Sequence, residues 1–514
     1  MKKTLEKICA RLLPAVARRV CARVGLDQTV LSDRENGFDL THYEQSAGRR
    51  FASASAALLH YVTVGSYHGL QPRAGFDPGE YLRRNPDVAA IGYEPFAHYY
   101  RFGREEGRGT ASKEGGPDHD PISPPDISKM LLRPRPPADA VKVDIVMPVY
   151  GSRSLTLQAI DSVLAATTKI PYELVVIDDA SPDPVLRHEL QTLASAGLLT
   201  LLGNERNLGF VETANRGFAL HDDRDVVLLN SDTKVFGEWL DRLMKVMNGT
   251  TRTATVSPLS NAATILSYPV TLRDNNRLCG MDLAVLDHLC ALLDLPPVAL
   301  PTAVGFCMAI KRTCLREVGP FDSQKFWRGY GEENDFSLRA TLSGWQHMAA
   351  TNVFVWHRGG ASFGVEREAL IEAAQQTLEL LHPGYAALVQ SFIRLDPLGP
   401  VRAALDAARV RADSRRKVLH VAPATSSFEE KALRLMLIPD IAPLGDFYRV
   451  CASAFPPAPN LPRIRRDAAV EDWAQMMREL DIREVDISAS MAGTVPVRDI
   501  EEAARSAGID FKIR

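Results

Sequence analysis

Apolar positions in the middle of the chain fall into short runs separated by amphipathic stretches. Val143 to Val149 stops at Tyr150, and Leu174 to Ile177 stops at Asp178-Asp179-Ala180-Ser181. Leu198 to Leu202 leads into Asn204-Glu205-Arg206-Asn207-Leu208-Gly209-Phe210, and Val226 to Leu229 ends in Asn230-Ser231-Asp232-Thr233. Apolar runs this short, interrupted only at Asp144 and Thr200, predict strands buried on both faces of a sheet. Helical periodicity over Leu155 to Ala166, Pro184 to Ala196 and Val211 to Leu220 fills the gaps. The alternation predicts an α/β domain with a mostly parallel, doubly wound sheet. Ligands of such sheets sit beyond the carboxyl ends of the strands, where Asp232 stands. A carboxylate there suits a divalent cation that holds a diphosphate. The same four residues also read as a turn and helix N-cap before Phe236 to Leu240.

On either side the pattern changes. Phe38, Tyr43, His60, Tyr61, Gly65 and Gly69 recur as Phe76, Tyr81, His98, Tyr99, Gly103 and Gly107, every pair 38 apart, so one unit of two short helices is duplicated. The His and Tyr residues read as the core of a stacked pair, since one unit alone is too small to bury one. Residues 109–140 carry Pro121-Ile122-Ser123-Pro124-Pro125 and Pro134-Arg135-Pro136-Pro137, a semi-rigid linker. The expected domains are thus 31–108, 141–365 and, after a helical extension and basic linker over 366–416, a tail from 417 to 514. In the tail, Val418 to Ala422 predicts a strand, Ser427 to Leu435 a helix, Val470 to Leu480 a helix, Glu484 to Ile487 a strand and Asp499 to Ala507 a helix.

Composition narrows the function classes. A length of 514 residues implies roughly three or four domains. A hydrophobic content of 46% with 24% charged residues is that of a globular protein, and a net charge of -3 gives no pull toward nucleic acid. Seven scattered cysteines without a CxxC pair suit reduced thiols and a cytoplasmic setting. No stretch reaches the ~18 apolar residues of a membrane span. Met1 to Gly25 is basic and amphipathic, with Leu5, Ile8, Leu12, Val16 and Val20 at helical spacing. Such a segment suits peripheral contact with the inner face of the cytoplasmic membrane, or packing on the next domain.

Seven stretches carry a family resemblance: Ile145 to Tyr150, Val176 to Ser181, Asn204 to Phe210 with Asn215, Leu229 to Thr233, Gly305 to Met308 with Gly319-Pro320-Phe321-Asp322, Gly331 to Arg339, and Val355 to Phe363. In that order they resemble the signature of family 2 glycosyltransferases, which have the GT-A fold and use nucleotide-diphosphate sugars. The repeats resemble small helical repeats attached to bacterial surface-polysaccharide glycosyltransferases. The tail resembles the first half of a GT-B glycosyltransferase, a partial Rossmann-like α/β domain without a Gly-rich phosphate loop.

The resemblance implies roles. Pro148 and Tyr150 lie against the nucleoside and Asp179 hydrogen-bonds the base, which suits uracil or thymine. Asn207 and Asn215 contact the nucleotide or cap helices. The family's metal motif brackets one residue with two carboxylates; here Asn230 replaces the first, so Asp232 carries the charge and His357 is the second expected ligand for Mn²⁺ or Mg²⁺. Glu333 stands at the position of the base that deprotonates an acceptor hydroxyl in an inverting transfer. Glu332 and Asp335 support it, and Asp335 is spaced to pair with Arg339. The expected function is metal-dependent transfer of a sugar from a UDP or dTDP donor to a glycan or lipid-linked acceptor in bacterial surface polysaccharide assembly. The competing expectation is a binding scaffold whose catalytic site has decayed, suggested by Asn230, by Glu333 in place of the commoner Asp, and by the incomplete tail.

Overall fold

The computed structural model describes residues 141–272, 281–326, 329–359, 367–421, 432–439, 447–452, 458–489 and 495–514, with Asn275, Gly493 and parts of 26–136. The basic segment Met1 to Gly25 and the loop Gly360 to Glu366 lie outside the described residues. The chain divides into two compact units, residues 119–405 and residues 1–118 with 406–514.

The 119–405 unit is built on an eight-stranded sheet. Its strands are β1 (Val143–Val149), β2 (Tyr172–Asp178), β3 (Thr200–Gly203), β4 (Asp225–Leu229), β6 (Thr253–Leu259), β7 (Val298–Leu300), β8 (Cys307–Ile310) and β9 (Gln346–Phe354), in the order β3-β2-β1-β4-β8-β6-β9-β7. The first four are parallel, as is β6 with β9, while β8 runs antiparallel to β4 and β6, and β7 to β9. The parallel-dominated α/β sheet expected from the apolar runs is present. The antiparallel insertions were not legible, because a fully apolar run carries no direction.

β1 is buried at every position. Helices α3 (Arg153–Ala165), α4 (Pro184–Ser195) and α5 (Phe210–Phe218) make the crossovers. The third strand begins at Thr200 rather than Leu198, because Leu198 still donates its N–H to Leu193 O and closes the end of α4. A separate two-stranded ribbon pairs β5 (Thr233–Lys234) with β10 (Trp356–His357), placing Thr233 opposite His357. Helices α6 (Trp239–Met247), α7 (Leu283–Leu293), α8 (Arg312–Val318) and α9 (Glu332–Leu342) complete the layers, followed by α10 (Arg367–Leu381), α11 (Tyr385–Leu395) and α12 (Gly399–Ala412).

In the other unit the repeats include α1 (Leu40–Ala47) and α2 (Ala54–His60). The tyrosine hydroxyl–histidine pair recurs at the same offset, Tyr43 with His60 Nδ1 at 2.7 Å and Tyr81 with His98 Nδ1 at 2.9 Å. Phe38, Tyr43, Tyr61, Phe76, Tyr81 and Phe96 share one buried cluster, so the aromatics are core residues. Glu94 joins the two units of the repeat, accepting from Tyr61 and Ser66 at 2.8 and 2.6 Å and capping Phe96 and Ala97.

The tail forms a six-stranded sheet, β14-β13-β12-β11-β15-β16, from β11 (Arg416–Val421), β12 (Ala432–Pro439), β13 (Phe447–Ala452), β14 (Arg463–Arg465), β15 (Ile482–Ile487) and β16 (Asp510–Ile513). Helices α13 (Val470–Glu479) and α14 (Val497–Ser506) cover one face. Two expectations are corrected here. The helix read over Ser427 to Leu435 gives way to β12 from Ala432, because Leu433, Leu435 and Leu437 alternate with Arg434 and Met436 at the period of a strand and bury into the core. The basic linker read before Arg416 is instead α12, whose Ala407 and Val410 enter that core.

Candidate functional site

The carboxyl ends of the parallel strands are tied to one another by short-range hydrogen bonds. Asp179 N–H donates to Val149 O at 2.8 Å, Gly151 N–H to Ser181 Oγ at 2.9 Å, and Ser181 N–H to Asp178 Oδ1 at 3.0 Å. Ala180 and Gly151 adopt positive φ (57° and 71°) in these turns. Pro148 is buried opposite Ile177, while Tyr150, next past the end of β1, is 56% exposed. Its ring is therefore open to stack on a flat partner.

Asp179 points inward. Oδ1 accepts from Asn204 Nδ2 at 2.7 Å and Leu208 N at 2.8 Å, and Oδ2 from Gly209 N at 2.9 Å. The group expected on a base is thus the fastener of the 204–209 loop, with only 3% of the residue exposed. Asn207 Oδ1 also accepts from Gly209 N–H, at 3.0 Å, which is the capping alternative. Asn215 forms a two-way clamp on the backbone of Phe321, donating to its O at 2.8 Å and accepting from its N at 3.0 Å.

The β5–β10 ribbon brings Asp232 and His357 together. Asp232 Oδ1 lies 3.4 Å from His357 Nε2, and the two side chains are 14% and 15% exposed. The ring's other nitrogen, Nδ1, is 2.6 Å from Ala262 O. A carbonyl only accepts, so Nδ1 carries a proton, and Nε2 faces the carboxylate, where a neutral ring offers a lone pair to a cation. Asn261 holds the backbone of His357 from both sides, at 2.7 and 2.8 Å, and Phe306 stacks on its ring with centroids 5.1 Å apart. Asn230 N–H donates to Phe306 O at 2.8 Å, and Asn230 Oδ1 is buried with no hydrogen-bond partner among the described residues. Asp232 caps no helix, since α6 begins at Trp239 after Glu238. A carboxylate and an imidazole nitrogen facing each other, with an unpartnered amide oxygen two residues before the carboxylate in sequence, are donor types that fit Mn²⁺ or Mg²⁺.

Glu333 lies on the next wall. A Cβ built on Gly305, the neighbour of Phe306, would stand 3.6 Å from Glu333 Cγ. Glu332 and Glu333 open α9, each with Oε2 buried and without a partner among the described residues. Burial pushes both carboxyls above the ordinary glutamate range, and for Glu332 the charge of Glu333 adds to it. Asp335 and Arg339 form the pair expected from their spacing, at 2.8 Å, and His382 Nε2 reaches the other Asp335 oxygen at 2.8 Å. Asn261, Ala262, His382 and Tyr385 carried no sequence motif, and Phe306 stood in one without a role assigned to it. The one available signal was the break His382-Pro383-Gly384, which marks only the end of a helix.

Asp144, Glu173 and His221 form a second cluster of ligand-type residues. Arg224 Nη1 already fills it, 2.9 Å from Asp144, 2.6 Å from Glu173 and 3.1 Å from His221. It lies toward the amino ends of β1 and β2, so it belongs to the scaffold.

Residues 144–282 match the family model described as glycosyl transferase family 2. The central segment is a family 2 glycosyltransferase domain. The chain is 28% identical over 226 residues to a putative polypeptide N-acetylgalactosaminyltransferase 13 of Drosophila melanogaster, covering 40% of this chain and 39% of that protein. The chain thus spans about two fifths of the curated relative it matches. Among solved structures it is similar to GalNAc-T7 with UDP, GalNAc and Mn²⁺ (17% identity, TM-score 0.36, 51% of this chain and 52% of that one). It is also similar to the mannosyltransferase PcManGT from Pyrobaculum calidifontis in complex with GDP-Man and Mn²⁺ (18% identity, TM-score 0.36, 56% and 81%). The glycosyltransferase domain accounts for the placement of Asp232 after its fourth strand. The Glu332–Glu333 pair and His357 lie beyond the matched residues.

Proposed function

We propose that the protein is an inverting, metal-dependent glycosyltransferase that moves a sugar from a UDP or dTDP donor to a glycan or lipid-linked acceptor in bacterial surface polysaccharide assembly. The observation that carries this reading is the Asp232–His357 pair, with His357 held in the tautomer that leaves Nε2 facing the carboxylate. Asp232, His357 and Asn230 would hold Mn²⁺ or Mg²⁺, and the cation would supply charge to neutralise the diphosphate of the donor and of the leaving group.

The remaining work falls to the chain's own side chains. Tyr150 stacks on the nucleoside along the edge formed by Pro148. Asp179 keeps the 204–209 loop, with Asn207, folded beside it, and Asn215 anchors the following helix to the 321 loop. Glu333 takes the proton from the acceptor hydroxyl, its basicity raised by burial, which brings it closer to working pH than an exposed glutamate. Among the described residues no helix is long and apolar enough to cross a membrane. Contact with a membrane belongs, in this reading, to the basic segment Met1 to Gly25.

Titration calorimetry with UDP, dTDP and GDP, with and without Mn²⁺, tests the donor site. We expect one nucleotide to bind only with Mn²⁺ and to lose at least tenfold in affinity in Asp232→Ala. Failure of all three to bind at millimolar concentration would overturn the transferase reading in favour of a decayed scaffold.

A further inference from the structure

The helical extension after the family 2 domain reaches back to the stretch that carries Glu333. Its two helices, α10 and α11, meet at His382-Pro383-Gly384, and this turn is braced internally. Glu379 accepts the Gly384 N–H at 2.8 Å and the Ala386 N–H at 3.1 Å. From the braced turn His382 Nε2 contacts Asp335 at 2.8 Å, and the Tyr385 hydroxyl donates to Asn334 Oδ1 at 3.0 Å. Asn334 and Asp335 are the two residues that follow Glu333 in the first turn of α9. The Tyr385 phenol also lies within electrostatic reach of Glu333, and burial and that charge together push its own pKa up.

The backbone leading into α9 needs such support. Gly329, Tyr330 and Gly331 have φ of 85°, 67° and 110°, three successive residues in the left-handed region with a tyrosine among them. Strain of this kind persists only when its surroundings over-determine it. Leu378 of α10 does so, packing with Phe326, Leu338 and Tyr385 and standing 3.2 Å from where a Cβ on Gly331 would be. On the opposite side Ser337 Oγ donates to Glu333 O at 2.6 Å and accepts from Ala303 N–H at 3.1 Å. The first turn of α9 is therefore gripped on one side by the sheet loops and on the other by the hairpin.

We propose that the α10–α11 hairpin is a positioning device for the transfer step: through His382 and Tyr385 it sets where the Glu333 carboxylate stands relative to the acceptor hydroxyl. His382 and Tyr385 are positioning residues that act through Asp335 and Asn334. The inference rests on the reading of Glu333 as base, and it assigns a part of the active site to a segment outside the family match.

The test compares the full-length chain with Tyr385→Phe, His382→Leu and His382→Gln, measuring nucleotide affinity by calorimetry and kcat for sugar transfer with saturating donor. Displacement of a catalytic group by about 1 Å costs up to ~100-fold in rate. Tyr385→Phe and His382→Leu are expected to bind nucleotide within about twofold of wild type and to lose about 10- to 100-fold in kcat. His382→Gln, which can still donate to Asp335, is expected to recover most of that loss. Tyr385→Phe keeps the ring that packs in the cluster, so it separates loss of the hydroxyl from loss of the fold. Variants that keep kcat within twofold, or that lose nucleotide binding in step with kcat, would overturn the positioning role. A wild-type chain that binds nucleotide and transfers nothing to any acceptor overturns Glu333 as base, and this inference with it.

Discussion

Two adjacent buried carboxyls with no cation paired to them among the described residues are costly, so the protonation of Glu332 and Glu333 bears on stability. The folded protein holds a proton on Glu332 more tightly than the unfolded chain, because burial and the neighbouring Glu333 charge disfavour the carboxylate. The stability contributed is therefore full below the ordinary carboxyl range and is lost as pH rises through the raised value. At neutral pH an ionised Glu332 opposes folding. Glu332→Gln should raise the thermal midpoint at pH 7.5 and leave the acid limb of the kcat/KM profile in place, because Glu332 is still protonated, and so uncharged, while Glu333 titrates. A lower midpoint in scanning calorimetry would show instead that Glu332 has a stabilising cation that the folded chain supplies. His357 depends on a neighbour in the same way: the hydrogen bond to Ala262 O keeps a proton on Nδ1 and leaves Nε2 as the nitrogen that would meet the proposed cation.

At the scale of elements, the site depends on how closely crossover helices approach the sheet. α5 crosses β1 with Gly217 against Val146, where a Cβ would stand 2.3 Å from Val146 Cγ1. Gly217→Ala must push the helix off the strand, with an expected cost of about 1–3 kcal/mol. The same shift would loosen Asn204 and Asn215, whose hydrogen bonds tie the ends of the α5 region to Asp179 and Phe321. Urea unfolding of Gly217→Ala, together with nucleotide affinity, measures both effects. Unchanged stability would mean that the helix can slide without penalty. Asp179 shows why element packing redirects a side chain: its carboxylate gathers three donors from one loop. A loop rich in unsatisfied N–H groups next to a buried carboxylate closes on it rather than leaving it open.

For the molecule as a whole, His347 links three parts of the catalytic unit. It sits in β9, meets Thr255 Oγ1 of β6 at 2.7 Å through Nδ1, and donates from Nε2 to Ser337 O of α9 at 2.9 Å. Burial depresses its pKa from 6.5 to about 4. The unfolded chain takes up this proton first, so the contribution to stability is complete above pH 6.5 and falls as pH drops toward 4. A shift of this size corresponds to an order of 3 kcal/mol across the window. Denaturant midpoints at pH 7 and pH 5 should therefore diverge more for the native chain than for His347→Gln, which has no proton to gain. Equal divergence would place the acid sensitivity elsewhere. The thiols do not enter this balance: Cys290, Cys307 and Cys314 are buried, with the Cys314 thiol pushed up to about 12.

Local patterning was enough to determine the strands from Val143 to Leu229, the crossover helices between them and the position of Asp232 past a strand end, because period and run length are properties of neighbouring residues. The duplicated Tyr–His pairs and the Asp335–Arg339 pair were equally legible, being set by a fixed offset or one helical turn. The alternation of Leu433, Leu435 and Leu437 was present in the tail too, but competing helical readings of a short apolar stretch hid it. What neighbours cannot encode is direction and distant proximity. The tertiary structure alone turned β8 antiparallel, supplied the Thr233–His357 pairing behind an Asp232–His357 contact that only the family resemblance had implied, and folded the α10–α11 hairpin back so that Tyr385 reached Asn334. Each of these joins segments far apart in sequence through the burial of shared apolar surface, and that choice is made by the packing of the whole unit.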